Sequence, residues 1–277
     1  MDEHATARDL ALALELADEA DTMTMARFRA RDLVVQTKPD LTPVSEVDLA
    51  VEAALRRRLG RARPGHGVMG EEGGEEPGTG TDRRWILDPV DGTQNYVRGV
   101  PVWATLIALK DADETVVGVV SAPALGRRWW AVREGGAFAA PHSGGGSGPA
   151  GSPIRVSAVG SVDDAMLSYD DLSEWESCGR GEAFTALARR CWRTRAFGDF
   201  WSHVLVAEGA VDLAVEPEVS LWDLAAPKII VEEAGGRFTD LAGAPTDEGG
   251  SAVSSNGLLH DEAVAALNPE TPRSGRV

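Results

Sequence analysis

The chain has 277 residues, of which 43% are hydrophobic, and it carries a formal net charge of −17 at pH 7. Its length and apolar content are sufficient for a substantial core, in one large domain or in two lobes. The negative charge argues against nucleic acid and anionic membranes as partners, because both attract clustered lysine and arginine. Because the chain has only three lysines, an acidic substrate such as a phosphate ester would depend on bound cations for neutralisation.

The sequence contains no recognisable targeting segment. Its N-terminal residues lack the basic and apolar regions of a signal peptide, and no stretch approaches the roughly 20 apolar residues of a membrane span. The two cysteines, Cys178 and Cys191, are too few and too far apart for a disulfide framework. We therefore expect a cytoplasmic protein that is not attached to a membrane.

The first two predicted elements are helices. Residues 5–28 contain no glycine or proline and repeat apolar side chains at helical intervals. After the loop TKPDLTP at residues 37–43, a second helix is predicted to begin at Ser45 and to close at 56–58. Asp48 follows Ser45 by three residues and could simply complete a capping box, so its pattern alone does not predict a functional role.

A short strand and an acidic loop are predicted next. Val68 and Met69 suit a strand, and the sequence GEEGGEEPGTGTD follows at residues 70–82. Glu71 comes directly after the strand, where it could lie at the same sheet edge as the next strand end and bind a cation. A solvated turn is the alternative for Glu71, whereas Glu75 and Glu76 are expected to face solvent.

The stretch WILDPVDGTQNYVRGVPVWATLIAL at residues 85–109 is the most informative part of the sequence. Residues 85–87 predict a buried strand that ends at Asp88, and Pro89 is expected to mark the exit because proline cannot donate a ladder hydrogen bond. Asp88, Asp91 and the backbone carbonyl between them offer the hard oxygen ligands that Mg²⁺ takes. A role as turn formers is the alternative for the two aspartates.

Gly92 and Thr93 follow this pair of carboxylates directly. They offer backbone amides at the start of a predicted helix, where unsatisfied N–H groups and the helix dipole favour an anion. Carboxylates for a cation and amides for an anion in one short segment predict metal-dependent phosphate chemistry.

Residues 103–131 predict consecutive antiparallel strands. Residues 142–153 are almost wholly glycine, serine, proline and alanine, which is typical of a flexible surface loop. We place the lobe boundary there, which predicts lobes at 1–150 and 151–268 and a frayed tail at 269–277.

The second half alternates helical and strand-like segments. Helices are predicted near 182–191 and 200–208, followed by a strand-like segment, VDLAVEP. A further helix opens at Leu221, runs through Val231 and stops at a Gly-Gly pair. Asp223, near its start, could be an N-cap or a cation ligand, and the residue type fits both.

Three motifs in this order resemble the inositol monophosphatase superfamily: GEE at 70–72, DPVDGTQN at 88–95 and WDLAAPKIIVEEAGG at 222–236. The resemblance covers nearly the whole chain. It implies an α+β fold, an alternating αβαβα sandwich of two lobes. The N-terminal lobe would bind metal and phosphate, and the C-terminal lobe would complete the metal site and the substrate pocket. The resemblance also implies a homodimer.

The resemblance also implies the roles of individual residues. The implied Mg²⁺ ligands are Glu71, Asp88, Asp91, Asp223 and the backbone carbonyl of Val90. Glu71 and Thr93 would orient an attacking water, and Asp48 would hold Thr93 or a further metal-bound water. The amides of Gly92 and Thr93 would bind phosphate oxygens, with Asp223 beside the substrate. The implied reaction is hydrolysis of a phosphomonoester by direct attack of water.

Within this superfamily the chain is most similar to the histidinol-phosphate phosphatases of actinobacterial type. The segments that carry this similarity are TKPDLTPV at 37–44, VRGVPVWA at 97–104, SAPALGRRWWA at 121–131 and AFGDFWSHVLVAEGAVD at 196–212. The implied substrate is L-histidinol phosphate. The alternatives are a phosphatase for inositol phosphate or fructose bisphosphate, and a non-catalytic metal-binding regulatory protein.

A substrate with an amine and an imidazole should meet carboxylates in its pocket. Asp199 and Glu216 are the candidates, although Asp199 could instead cap a helix. Arg195 could pair with either of them across the site. Gln94 stands where the superfamily often has a lysine, and we expect activity to survive because cations do most of the neutralising.

Overall fold

The computed structural model describes residues 3–39, 41–141 and 151–268. The α-helices of these residues are α1 (Glu3–Arg27), α2 (Glu46–Ala62), α3 (Thr93–Arg98), α4 (Leu172–Ser177), α5 (Gly181–Arg190), α6 (Asp199–Ala207), α7 (Leu221–Glu233) and α8 (His260–Leu267). The strands are β1 (Val35–Thr37), β2 (Pro43–Ser45), β3 (Gly67–Gly70), β4 (Gly74–Glu76), β5 (Arg83–Asp91), β6 (Ala104–Asp111), β7 (Glu114–Ala122), β8 (Arg127–Val132), β9 (Gly136–Pro141), β10 (Ser152–Pro153), β11 (Met166–Tyr169), β12 (Arg193–Arg195), β13 (Leu213–Glu216), β14 (Arg237–Thr239) and β15 (Ala252–Ser255).

Two sheets carry the architecture. The larger has the order β10-β9-β8-β7-β6-β5-β3-β4, and its pairs are antiparallel except for β3 with β5. The smaller has the order β12-β11-β13-β15-β14, with β11 parallel to both β12 and β13. Strands β1 and β2 form a separate hairpin just before α2.

Helices separate and cover these sheets. One core cluster lies between the large sheet and α1 with α2, and another lies between the other face of that sheet and α6 with α7. Helices α6 and α7 also contact strands of the small sheet, and α4, α5 and α8 pack on that sheet in a third cluster. The layers therefore alternate αβαβα, which confirms the predicted fold class.

Strand β5 lies inside this arrangement, and its sequence explains why. Trp85 and Leu87 pack in the cluster under α1 and α2, whereas Ile86 packs in the cluster under α6 and α7. A strand with helices on both faces has no polar side, so its apolar residues form a continuous run. The predicted buried strand is confirmed, and its end lies between the helical layers.

Several predicted boundaries were wrong. Helix α2 continues past Arg58 to Ala62, because glycine at position 60 weakens a helix by only about 1 kcal/mol. Strand β5 continues through Pro89 to Asp91. The acidic loop contains β4, which pairs antiparallel with β3 in a hairpin. Glu75 and Glu76 are exposed, as predicted. Strand β11 and helix α4 were not predicted.

The predicted lobe boundary falls mostly on residues 142–150, which lie outside the described residues, as does the predicted tail at 269–277. Ser152 and Pro153 pair with β9, so the large sheet includes residues on both sides of the predicted division. The two-lobe division remains a prediction. Among the described residues, no helix is both long enough and apolar enough to cross a membrane.

Candidate active site

The end of β5 brings two carboxylates to one place by means of a β-bulge. Asp88 pairs with Leu106 and Asp91 pairs with Ala104, so the register shifts by one residue between them. In a regular strand, residues three apart point to opposite faces, and one extra residue brings them to the same side. Pro89 is accommodated at this bulge, where a missing N–H does little harm. The prediction that Pro89 marks the exit from the strand was therefore wrong, because β5 continues to Asp91.

Asp223 reaches the same place from the start of α7. The N-cap of this helix is Ser220, not Asp223, and the Ser220 N–H donates to Asp223 Oδ2 over 2.9 Å. Asp223 is the third helical residue and closes a capping box. The proposed N-cap role was therefore wrong, but the helix start and its glycine-terminated end are confirmed.

Asp88, Asp91 and Asp223 form a candidate cation site. Each offers a carboxylate oxygen within 4.8 Å of the others, and Asp88 and Asp91 are buried. Among the described residues, none of the three forms an ion pair with lysine, arginine or histidine. Buried carboxylates that lack a counter-ion favour either protons or a bound cation. Oxygen-only ligands of this kind suit Mg²⁺, so the residues present fit that ion.

The pKa values of all three carboxyls are raised, because burial and neighbouring negative charges make ionisation unfavourable when no cation is bound. Burial, followed by the charges of Glu71 and Asp91, raises the pKa of Asp88 well above its usual value. Burial, followed by the charges of Asp199 and Asp223, does the same for the pKa of Asp91. Burial raises the pKa of Asp223 to about 6, and the carboxyls of Asp88 and Asp223 share a hydrogen bond.

Glu71 lies beside these carboxylates, in the turn that follows β3. Its N–H donates to the Leu87 carbonyl over 3.2 Å, which ties the turn to β5. Lys38 Nζ lies 2.7 Å from Glu71 Oε1 and 2.6 Å from Glu72 Oε1. Burial raises the pKa of Glu71, while Lys38 lowers it. Lys38 therefore supplies positive charge at the edge of an acidic cleft.

Asp48 approaches the cleft from the first turn of α2. Its Oδ2 accepts the Ser45 N–H over 2.9 Å and closes a capping box. Its Oδ1 lies 3.1 Å from Thr93 Oγ1, which lies 2.8 Å from the Val90 carbonyl oxygen. One carboxylate thus caps a helix with one oxygen and contacts Thr93 with the other.

Asp199 stands at the start of α6, facing the start of α3. The N-cap of α6 is Gly198, so Asp199 is the first helical residue and does not cap the helix. Its Oδ2 accepts a hydrogen bond from Asn95 Nδ2 over 3.0 Å. Its φ of 48° is left-handed, a conformation that aspartate tolerates better than most residues. Burial, then the charges of Asp170 and Glu216, raises the pKa of Asp199 to about 8.

Glu216 is buried at the end of β13. Its Oε2 lies 3.3 Å from His203 Nε2, and its Oε1 has no hydrogen-bond partner among the described residues. The other ring nitrogen, His203 Nδ1, lies 2.7 Å from Ser254 Oγ. The imidazole is therefore fixed between a carboxylate and a hydroxyl.

A cleft of about 780 Å³ joins most of the predicted residues. The predicted residues that line it are Glu71, Asp88, Val90, Asp91, Gly92, Thr93, Gln94, Asp199 and Asp223. Glu216 lines a smaller pocket of about 160 Å³ that shares Asp91, Asp199 and Asp223 with the cleft. Asp48 contacts the cleft through Thr93.

Arg195 is the exception among the predicted residues. It lies exposed on β12, at the edge of the small sheet, and its guanidinium donates to the neighbouring Thr194 carbonyl over 2.9 Å. Among the described residues it pairs with neither Asp199 nor Glu216. Its side chain is absent from the lining of both the cleft and the smaller pocket.

Residue patterns missed three further groups at the site. Lys38 stands in the TKPD loop as one of the three lysines of the chain, and nothing around it in the sequence indicates a role. Asp170 and Glu174 line both the cleft and the smaller pocket, yet they belong to the unpredicted β11 and α4 region. No short motif marks them, because their position depends on how the small sheet packs against α6.

The layered fold and the carboxylate corner, which is the cluster of Asp88, Asp91 and Asp223, are features by which a protein family can be recognised. The model of the inositol monophosphatase family matches residues 7–271, and the chain belongs to this family. The family predicted from the motifs is therefore confirmed.

Individual relatives are more informative. A protein of Streptomyces coelicolor named histidinol-phosphatase is 58% identical over 264 residues, covering 94% of this chain and 97% of that protein. A histidinol-phosphatase of Mycobacterium tuberculosis is 57% identical over 265 residues, covering 94% and 98%. The solved structure of a Thermotoga maritima IMPase superposes with a TM-score of 0.82 at 31% identity, covering 94% of this chain and 97% of that one.

Proposed function

We propose that the chain is a Mg²⁺-dependent phosphomonoesterase that hydrolyses L-histidinol phosphate to L-histidinol and phosphate, a step of histidine biosynthesis. One observation carries the phosphatase part: Asp88, Asp91 and Asp223 converge within 4.8 Å without a lysine, arginine or histidine ion pair. The substrate part is supported by the names of the similar proteins and by the acidic side pocket that contains Glu216.

In this proposal Glu71, Asp88, Asp91, Asp223 and the Val90 carbonyl would hold the metal. When bound, Mg²⁺ would neutralise charge on the phosphoryl group and its leaving oxygen and would make an attacking water more acidic. The amides of Gly92 and Thr93 bind phosphate oxygens at the cleft, supplying fixed dipoles where negative charge develops.

Asp48, Thr93 and Glu71 position the water. The Thr93 hydroxyl has one proton, which it can donate to Asp48 Oδ1 or to the Val90 carbonyl. Either bond leaves a lone pair of Thr93 Oγ1 free to accept a hydrogen bond from the attacking water. Glu71 accepts a second hydrogen bond from that water, so a water lone pair points at phosphorus.

The organic part of the substrate lies toward Asp199 and Glu216. Histidinol carries an amine and an imidazole, both hydrogen-bond donors when protonated, and the unpartnered Glu216 Oε1 can accept from either. The homodimer and the cytoplasmic location also belong to this proposal, and sedimentation of the purified protein tests the former.

Replacing Asp199 by alanine tests the substrate assignment. We expect Asp199→Ala to reduce kcat/KM on L-histidinol phosphate far more than on glycerol 2-phosphate, because only the first substrate has a cationic end. Equal losses on both esters would contradict the assignment. Phosphate release by the native protein, with and without a chelator, separates an enzyme from a non-catalytic metal-binding protein.

A further inference from the structure

A side pocket of about 160 Å³ opens next to the carboxylate corner and has a second acidic wall. Asp199 and Glu216 lie on the side formed by α6 and β13. The other wall comes from the segment that joins β11 to α4, which contributes Asp170 and Glu174. Asp91 and Asp223 line the same pocket, so it is continuous with the place where we propose that phosphate binds.

Nothing in the described part of the chain neutralises this second wall. No lysine or arginine lines the pocket, and the histidine that lines it, His203, pairs with Glu216. Lys38, at the edge of the larger cleft, pairs with Glu71 and Glu72. Neither Asp170 nor Glu174 forms an ion pair or accepts a side-chain hydrogen bond from any described residue. Other buried acids have partners that satisfy them: Lys110 Nζ lies 2.6 Å from Asp247 Oδ1, and Asp212 Oδ2 accepts the Met166 N–H over 2.7 Å. The carboxylates of Asp170 and Glu174 have no such partner in the described part of the chain.

Local backbone geometry brings both residues to the pocket. Asp171 caps α4 by accepting the Ser173 N–H over 2.8 Å, which places Glu174 in the first turn. A glutamate at this position often bonds back to the N-cap amide, but Glu174 lines the pocket instead. On the other side of Asp170, a Cβ on Gly198 would lie 2.4 Å from Asp170 Oδ1. The glycine before Asp199 thus lets the Asp170 carboxylate approach the start of α6.

Glu216 provides an independent indication that a ligand binds here. The residue is 5% exposed, its Oε1 is buried without a hydrogen-bond partner, and it lines the pocket. A buried carboxylate oxygen left without a donor costs about 1–3 kcal/mol or more. A ligand that brings N–H donors into the pocket removes this cost, and a positively charged ligand also relieves the repulsion among the acids.

The free pocket favours protons for the same reason. Burial, then the charges of Asp170 and Glu216, raises the pKa of Glu174 to about 7. Burial, then the charge of Glu216, raises the pKa of Asp170 to about 6. A neutral polyol would leave this repulsion in place, whereas an organic cation would remove it.

We propose that Asp170 and Glu174 are specificity-determining residues that bind the positively charged end of the substrate opposite Asp199 and Glu216. The pocket then selects phosphomonoesters whose alcohol carries two basic nitrogens over esters of neutral polyols. This inference rests on the proposed function, because it concerns the organic part of the same substrate.

Kinetics with two substrates test the proposal in the full chain with Mg²⁺. The variants are Glu174→Gln, Asp170→Asn and their combination, and the substrates are L-histidinol phosphate and glycerol 2-phosphate. We expect the double variant to raise KM for histidinol phosphate by about tenfold or more relative to its effect on glycerol 2-phosphate, with kcat changed much less. Equal effects on both substrates, or no effect on either, would overturn it.

Glu176→Gln is the matched control. Glu176 is exposed, lies on the same helix as Glu174 and does not line the pocket. We expect its kinetics to match those of the native protein on both substrates. A loss on histidinol phosphate as large as that of Glu174→Gln would mean that general surface charge, and not the pocket, attracts the substrate, which contradicts the proposal.

Inhibition by L-histidinol separates this proposal from the proposed function. The alcohol has no phosphate and should compete with glycerol 2-phosphate, and Glu174→Gln should weaken that inhibition by about tenfold. If the native protein fails to hydrolyse histidinol phosphate yet shows this inhibition pattern, the function is wrong and the cation pocket stands. If histidinol phosphate is hydrolysed and Glu174→Gln leaves histidinol inhibition unchanged, the pocket assignment is wrong.

Discussion

Glu52 shows how a residue outside the cleft can determine the position of one inside it. From its buried place in α2, its carboxylate accepts the N–H groups of Glu72 and Gly73, each over 2.8 Å. It also pairs with Arg56 Nε at 2.7 Å. These bonds hold the turn that carries Glu71. The turn also approaches Glu52 closely, because a Cβ on Gly70 would lie 2.4 Å from the Glu52 carboxyl carbon.

Replacing Glu52 by glutamine tests this positioning role. The glutamine amide has one oxygen, so it cannot accept from both N–H groups in the same way, and hydrogen bonds to charged groups contribute roughly 1.5–3 kcal/mol each. We expect Glu52→Gln to weaken Mg²⁺ binding about tenfold by calorimetry, with an equal rise in the Mg²⁺ concentration needed for half-maximal activity. Glu46→Gln, in the same helix and paired with Arg27, is the control. Unchanged Mg²⁺ affinity in Glu52→Gln would refute the role.

At the residue scale, the sequence was informative wherever a candidate metal ligand lies next to a local signal. Asp88 and Asp91 follow a continuous apolar run, and Asp223 lies in the first turn of a helix whose end is marked by a Gly-Gly pair. Lys38 and Glu174 have no such signal. Their place at the cleft follows from loop and sheet packing between segments distant in sequence, which local patterns do not encode.

At the scale of elements, the same capping box occurs at the start of two helices. In α2 and in α7, an aspartate at the third helical position accepts the N–H of a serine N-cap with one oxygen. In α2 the other oxygen faces Thr93. A capping pattern in the sequence is therefore compatible with a place in the site, because one carboxylate can cap a helix with one oxygen and face the cleft with the other. The boundary of β5 was misjudged because proline at a bulge looks locally like proline at a strand end.

The position of α7, and of Asp223 with it, depends on close packing against β7. A Cβ on Gly118 would lie 2.4 Å from Ile229 Cγ2 and 2.8 Å from the Ala226 carbonyl oxygen. Gly118→Ala must therefore push the helix outward, at a cost of about 1–3 kcal/mol. We expect a lower Tm together with weaker Mg²⁺ binding, measured by calorimetry on the same preparation.

Gly60→Ala is the control for this substitution. No atom lies within 4 Å of a Cβ added at Gly60, which is in α2. Alanine should raise helix stability there by roughly 0.5–1 kcal/mol and leave Mg²⁺ binding unchanged. If Gly118→Ala lowers the Tm without altering Mg²⁺ affinity, the packing of α7 does not control the metal site.

At the scale of the whole molecule, the acidic cluster couples folding to pH and to metal. Burial raises the pKa of Asp199 to about 8 and that of Asp223 to about 6. Without metal, these two carboxyls therefore bind more protons in the folded state than in the unfolded state between about pH 4 and pH 8. Stability from these groups is present below that window and is lost as the pH rises through it. A bound cation replaces those protons and restores stability at high pH.

This linkage predicts how Mg²⁺ changes the Tm. Because protons compete with the cation for the same carboxylates, excess Mg²⁺ should raise the Tm by several degrees more near about pH 8 than near about pH 5. Thermal melts with Mg²⁺ and with a chelator at both pH values measure this difference. Asp223→Asn should lose most of the Mg²⁺ effect at both. A Mg²⁺ effect that is equal at the two pH values would contradict the linkage.

The central claim is that L-histidinol phosphate is the preferred substrate, and comparative kinetics test this claim most directly. With Mg²⁺ present, kcat/KM is measured on L-histidinol phosphate, inositol 1-phosphate and fructose 1,6-bisphosphate. The acidic pocket predicts a preference for histidinol phosphate of at least about tenfold over both polyol phosphates, which corresponds to the cost of about 1–3 kcal/mol for one unpaired buried polar group. An equal or higher kcat/KM on either of the other two substrates would contradict it.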